Sequence, residues 1–476
     1  MKSWLITLVL LLSPLGAKGW ANSFLPRFIG GVDPGVPTHV TPTGIVTNPA
    51  VLGYLKGTNI AIYYSPVYQS LEADRASILS STGNPGPGAD ISYPGVSYSN
   101  NVTDYFFGAS TDFGQDRVTL GVAIFSPFRQ DFSNPSAPLR YHLIDRSIIN
   151  LFVTSVLALK VHRKFHIGFG LSYVYTKINM EMVRDRYLRG DVPDGSADSF
   201  EQGGKVDEKI AINTEDNNLG FQFGFYYMMK KWLFLGGSYR SKIRSLDSGY
   251  VRTKGTGSIT RWSDAQGGYV TLLGKATLRT TFPESANIGI KMRFSRNWWG
   301  DLSLTWDRWS DHQKLQVLLS GNDFANSSLT NWDLSINSYR GFQDVFAPQL
   351  SFFFNQKTGF SFITSLRYSP PATPQRWVNP AAVDNHAIDF MLSTSFKLFN
   401  FMTIRVAYTL EYMLPVTVKD SGFDPGLART CLDNHIDVAW CDECLQTMNN
   451  GQALPSAAGT YRKLTHQIGV GLHVKF

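Results

Sequence analysis

Charge is scarce in this chain. Lys, Arg, Asp and Glu together make 17% of 476 residues, against roughly 25% in an ordinary soluble domain. Cysteine is nearly absent, confined to Cys431, Cys441 and Cys444. Beyond the first residues no stretch holds the roughly 18 continuous apolar residues that a spanning helix needs. There is no G-x-S-x-G elbow and no phosphate-binding glycine loop, so the sequence gives no support to a serine hydrolase or a nucleotide-binding protein. Net charge is +7, but no dense Lys/Arg run carries it, and nucleic acid is not an expected partner.

Aromatic residues and glycine are plentiful instead: 32 Phe, 21 Tyr, 11 Trp and 42 Gly. Few charges with many aromatics and glycines suit a β-protein with a lipid-facing surface. The chain opens on Met1-Lys2, an apolar core from Trp4 to Leu12, and small residues at Ala17, Gly19 and Ala21. That order predicts an export signal over 1–21, cleaved after Gly19 or after Ala21. No Cys follows the apolar core, so a lipoprotein signal is not expected.

An exported chain without a spanning helix is either soluble or a barrel, and its end separates the two. Ile468, Val470, Leu472, Val474 and Phe476 alternate with Gln467, Gly469, Gly471, His473 and Lys475, a period-two strand closing on an aromatic residue. Such an end resembles the signal that outer-membrane barrels offer to the barrel assembly machinery. The same alternation recurs inside the chain. Ile167, Phe169, Leu171, Tyr173 and Tyr175 oppose Gly168, Gly170, Ser172, Val174 and Thr176; Phe221, Phe223, Phe225 and Tyr227 oppose Gln222, Gly224 and Tyr226. An apolar outside over a small or polar inside is the pattern of a membrane barrel.

Short connections (114–116, 162–165, 229–232, 295–300, 355–359, 399–402) alternate with long ones near 74–103, 133–148, 184–218, 253–275, 322–341, 375–384 and 419–459. Short inner turns and long outer loops join about fourteen strands. The predicted fold is therefore all-β: a transmembrane antiparallel β-barrel of about fourteen strands over 57–476, in the bacterial outer membrane. Residues 22–56 are rich in Pro and Gly and lack the strand pattern. They are expected to form an N-terminal plug, or hatch; a loose periplasmic tail is the alternative.

Scattered motifs in family order resemble the FadL-type outer-membrane transporters of long-chain fatty acids and other hydrophobic compounds. They are TNPAVLGYLKGT (Thr47 to Thr58), SPF (Ser126 to Phe128), GGSYRSKIRSLDSGY (Gly236 to Tyr250), LTWDRWSDHQKL (Leu304 to Leu315) and LRYSPPATP (Leu366 to Pro374). The resemblance covers nearly the whole mature chain. It implies a fourteen-stranded barrel, a hatch with Asn48, Pro49 and Ala50 just before the first strand, and transport of fatty acids or hydrocarbons by a monomer in contact with outer-membrane lipid. It also implies a kink in the third strand that opens a lateral gate at Ser126, Pro127 and Phe128. Proline brings no N–H to a ladder, so Pro127 either breaks pairing there or ends the strand at the rim.

Basic groups in a Phe- and Gly-rich lumen can pair with a carboxylate head group. Arg240, Lys242 and Arg244 are expected on the lumen face of the seventh strand and Arg367 on that of the eleventh. Ion pairing with the wall acids Asp307, Asp389 or Glu411 is the competing role. Phe106, Phe125, Phe152 and Phe353 are expected either to line an acyl-chain pocket or to pack within the wall. Export favours one disulfide among Cys431, Cys441 and Cys444, either Cys431 to Cys441 or Cys431 to Cys444. Metal binding by the CDEC segment with His435 is the lesser alternative. No enzyme activity and no cofactor are expected. A general diffusion porin and an adhesive or structural barrel are the competing functions.

Overall fold

The computed structural model describes residues 28–476 apart from 76–77, 80–89, 92–94, 128, 134–141, 143, 186–206, 246–249, 264, 328–333, 357–358, 420 and 422–456. The three cysteines and Phe128 lie outside the described residues.

Fourteen antiparallel strands close into one barrel. They are β1 (Thr58–Arg75), β2 (Val96–Thr111), β3 (Val118–Phe125, resumed at Arg129–Ser133), β4 (Asp145–His162), β5 (Phe165–Asp185), β6 (Asp207–Lys230) and β7 (Leu233–Arg240, resumed at Arg244–Ser245 and Val251–Ser263). Then follow β8 (Gly268–Thr280 and Ser285–Arg293), β9 (Trp298–Asp307 and Lys314–Ser320), β10 (Ser335–Tyr339 and Val345–Asn355), β11 (Phe360–Ser369), β12 (Ala387–Phe399), β13 (Met402–Val418) and β14 (Gly459–Lys475). Closure is between β1 and β14, in register from Asn59↔Lys475 to Arg75↔Gly459. The last residue completes the ring: Thr58 N–H donates to Phe476 O at 3.1 Å and Phe476 N–H to Thr58 O at 2.8 Å.

Parity decides each side chain's surroundings, because successive strand residues face opposite sides. On β5, Phe169, Leu171 and Tyr173 are exposed on the outer wall, whereas His166, Ser172, Val174 and Thr176 are buried inside. On β6, Phe221 and Phe223 face out, and Asn218 and Gln222 face in. The outer apolar band is the lipid contact of a membrane barrel.

The wall differs from the expected strand lengths. β6 runs for 24 residues, about twice what a membrane crossing needs. The expected loop 253–275 is instead a β-hairpin, with Val251 paired to Thr280 and Ser263 to Gly268. Thr253, Ile259, Leu278 and Ala276 of that hairpin are buried, so its alternation persists although its outer face is polar. The wall over β4 to β9 therefore stands well above the lipid band.

Residues 28–55 run inside this cylinder. Val32, Asp33, Ile45, Asn48, Ala50, Val51 and Leu52 are fully buried. The segment contains one helical turn, Gly44–Thr47, and a 3-10 turn, Pro49–Tyr54. Asn48 caps the second turn by accepting from Ala50 N–H at 3.1 Å, with Pro49 at the first helical position, where its missing N–H costs nothing.

Candidate transport site

The inner segment is held by small or polar residues from around the barrel wall. Asn48 Nδ2 donates to Phe225 O at 2.9 Å and to Pro37 O at 2.8 Å. Gln349 Nε2 donates to Pro34 O at 2.7 Å, Ser393 Oγ to Val32 O at 3.0 Å and Ser238 Oγ to Thr47 O at 2.6 Å. Wall glycines make room for it: a Cβ at Gly168 would overlap the Pro49–Ala50 peptide, for example, and one at Gly224 would overlap the Asn48 side chain. Asp33 ties the segment to the wall electrostatically. Its carboxylate lies 3.1 Å from His39 Nδ1 and 3.5 Å from Arg405 Nη1. Burial opposes the Asp33 charge, yet His39, Arg405 and the Gly35 N–H together hold its pKa well below the ordinary carboxylate value. Burial in turn lowers His39, against the pull of Asp33.

Substituting Gly168 by Val is expected to dislodge this segment, because the added carbons meet backbone rather than a flexible side chain. Planar-bilayer recordings should then show larger and more frequent openings than the parent; an unchanged closed baseline would contradict a plugging role.

The expected trio Arg240, Lys242 and Arg244 does not share one face. Arg240 is buried and its Nη2 donates to Val46 O at 2.9 Å, at the carbonyl end of the Gly44–Thr47 turn, where a cation is favoured. The parity then changes. Arg240 pairs with Gln222 but Arg244 with Leu219, so four steps on β7 oppose three on β6. This bulge, with Ser241 N–H bonded to Phe221 O, turns Ile243 inward and Arg244 outward. Lys242 belongs to an outer cluster, 3.6 Å from Asp311, beside the Arg308–Glu284 pair at 2.9 Å. Arg367 is buried on β11, directly across from Asp389, which in turn faces Glu411; Lys463 lies 2.8 Å from Glu411. These four groups form a charge-balanced inner row.

Phe106, Phe125 and Phe152 make one rung across β2, β3 and β4, with Phe125 and Phe152 stacked at 5.2 Å. They pack in the same apolar cluster as Ile45, Val46 and Leu52 of the inner segment. Phe353 is apart from them, against Phe28 and Val36, with Lys291 Nζ 4.1 Å from its ring centre.

That Phe rung is also the last one joining β2 to β3. The β1–β2 ladder continues up to Ala73↔Val96, but the β2–β3 ladder stops at Phe106↔Phe125. Ser126 and Pro127 follow at once, and the strand resumes at Arg129, where among the described residues it pairs with β4 and not with β2. Pro127 therefore interrupts a strand rather than ending it, and the ladder is lost on the β2 side.

Above the inner segment lies a cavity of about 240 Å³. Ile148, Ile178, Met180, Phe282, Trp309 and Phe342 supply apolar walls, and residues 381–384 close one side. Two arginines line it, Arg146 from β4 and Arg340 from the interruption of β10. Arg146 Nη2 donates to Ala381 O at 2.8 Å, and Arg340 sits 6.0 Å from the Phe342 ring centre. Neither guanidinium is within ion-pair distance of a carboxylate among the described residues. Asp384 shares the cavity, but one of its oxygens accepts from Ala372 N–H, Thr373 N–H and Thr373 Oγ. Sequence reading missed both arginines.

A family profile described as outer membrane protein transport protein (OMPP1/FadL/TodX) matches residues 40–420. The chain belongs to this family. It is a transport protein of the bacterial outer membrane, not an enzyme. Among solved structures, a Pseudomonas aeruginosa FadL homologue superposes with a TM-score of 0.72 at 15% identity, over 97% of this chain and 100% of that one. The CymD monoaromatic hydrocarbon channel gives 0.63 at 14%, over 95% and 99%. The Ralstonia pickettii toluene transporter TbuX gives 0.60 at 14%, over 95% and 100%. No curated protein sequence matches. Membership of the family identifies the chain as a transporter of hydrophobic compounds and disfavours a porin or an adhesin.

Proposed function

We propose that the cargo is a hydrophobic carboxylate of the long-chain fatty acid type, held in the Arg146–Arg340 cavity and released sideways through the β3 interruption. The observation that carries this reading is the pair of guanidinium groups facing one apolar cavity without a carboxylate partner. A cation removed from bulk water is stabilised by a charge-assisted partner, and a carboxylate accepts from guanidinium groups in parallel. The Phe and Met walls then suit the chain behind the head group. A toluene-like cargo, as named for TbuX, offers the arginines no negative charge.

Arg240 bonds to the inner segment, so its expected role as carboxylate anchor passes to the cavity pair. Residues 28–56 act as the hatch in this reading, keeping water from crossing while the cargo waits above. The experiment compares palmitate with its methyl ester, which keeps the chain and removes the charge. Binding to the purified protein should be about tenfold or more tighter for the acid. Equal affinities, or a preference for toluene, would move the cargo to the hydrocarbon class.

A further inference from the structure

On the outer wall above the lipid band, five strands form a shallow polar groove of about 390 Å³. Two adjacent rungs build it. One runs Ser147↔Asn179↔Asn213↔Thr256, the other Asp145↔Glu181↔Ala211↔Ser258↔Leu273, from β4 through β8. Their neighbours Met180, Ile212, Ile259 and Ala276 point the other way, into the buried lumen cluster, so the groove faces outward. Asn179 Oδ1 is out of contact with water and has no hydrogen-bond donor. Lysines surround the groove. Lys275 pairs across from Thr256, Lys177 stands across from Glu215 one rung below, and Lys209 lies 2.9 Å from Glu181.

Height identifies what can reach it. The last apolar outer pair on β5 and β6 is Tyr173↔Leu219, and Asn179↔Asn213 lies six residues further up. Six residues span about 20 Å along a strand, or about 15 Å in height at a tilt of roughly 40°. A phospholipid head-group layer extends only some 5–8 Å beyond the hydrocarbon. A lipid whose polar part rises to the groove must therefore carry an oligosaccharide. Amide and hydroxyl groups of the lining match sugar hydroxyls and exposed Leu273 matches a sugar ring face. Lys275 and Lys177, on the rim beside the lining carboxylates Asp145 and Glu181, match phosphate substituents.

We infer that the outer face of β4–β8 binds the phosphorylated saccharide head group of the outer-leaflet glycolipid, fixing the tall side of the barrel in that leaflet. This inference does not depend on the nature of the transported cargo.

The test measures retention of a lipid A glycolipid bearing inner-core sugars by native mass spectrometry of the full protein. Asn213→Leu with Ser258→Leu, and separately Lys275→Glu, should each lower retention about tenfold. Arg462→Glu, on the outer face of β14 across the barrel, should leave it unchanged. Unheated gel mobility confirms that every variant is a folded barrel. Lipid A stripped of its core sugars should bind the parent about tenfold less well. Undiminished retention in the groove variants, an equal loss in Arg462→Glu, or equal binding of the stripped lipid would each overturn the inference.

Discussion

Replacing Arg340 by Met is expected to weaken binding of a long-chain fatty acid by about tenfold to a hundredfold, while its methyl ester binds as before. The magnitude follows from one charge-assisted hydrogen bond in a partly dry site, about 1.5–3 kcal/mol. Methionine keeps an apolar stem of similar reach, so wall packing changes little. The sign of the stability effect separates binding from structure. Arg340 and Arg146 repel one another across the cavity, and among the described residues Arg340 has no ion-pair partner to lose. The empty variant should therefore unfold at the same or a slightly higher temperature while its fatty acid affinity falls. Arg146→Met should show a similar affinity loss with some loss of stability, because it also forfeits the bond to Ala381 O. Both arginines address one carboxylate, so the double variant should lose less than the sum of the two. Isothermal titration of acid and ester against the three variants checks this. Parallel losses for acid and ester would assign both residues to wall packing.

What could be read beforehand was governed by parity. Through the middle of β4, β5 and β6, away from the register shifts beside their short turns, the alternation is unbroken, so Phe169 and Leu171 on lipid, and Gly168 and Gln222 in the lumen, follow from sequence alone. Parity fails where the chain inserts residues. The bulge between Arg240 and Arg244 is invisible in SYRSKIRS, whose alternation of polar and basic residues fits either face. Lys242 and Arg244 were misplaced for that reason.

Arg146 and Arg340 lay hidden for a different one. Both fall in segments expected to be outer loops, 133–148 and 322–341, because polarity there masks the strand signal. The structure continues β4 to Asp145 and brings Arg340 in at a strand interruption. Strand interruptions near 308–313 and 340–344 let Trp309, His312 and Phe342 turn into the cavity. Such inward turns depend on neighbouring strands and leave no periodic trace in a single chain. Asn48-Pro49-Ala50 was singled out through the family resemblance rather than through periodicity, and the structure supplies its local geometry: a capping side chain followed by a residue with fixed φ.

The second large effect concerns the wall at β3. Extending the β2–β3 ladder by one rung beyond Phe106↔Phe125 would set Tyr105 opposite Ser126. A Tyr105→Cys/Ser126→Cys pair should therefore form a disulfide in the oxidising space outside the inner membrane and close the wall beside Pro127. Uptake of labelled fatty acid by cells carrying this variant should fall at least about tenfold, the scale of losing an essential route, and recover when a membrane-permeant reductant opens the bond. The reversible design answers the objection that a sealed barrel has misassembled: the same molecules regain transport without resynthesis. Binding of fatty acid to the purified, oxidised protein should be unaffected, since Arg146 and Arg340 lie on other strands. A lateral exit suits an apolar chain, because burying it in lipid gains about 0.8 kcal/mol per methylene that a watery exit would forgo. If the oxidised variant transports at the parental rate, the cargo passes the hatch toward the periplasm. The gap beside β3 would then be a local defect in pairing, and the mobile element to seek would be residues 28–56.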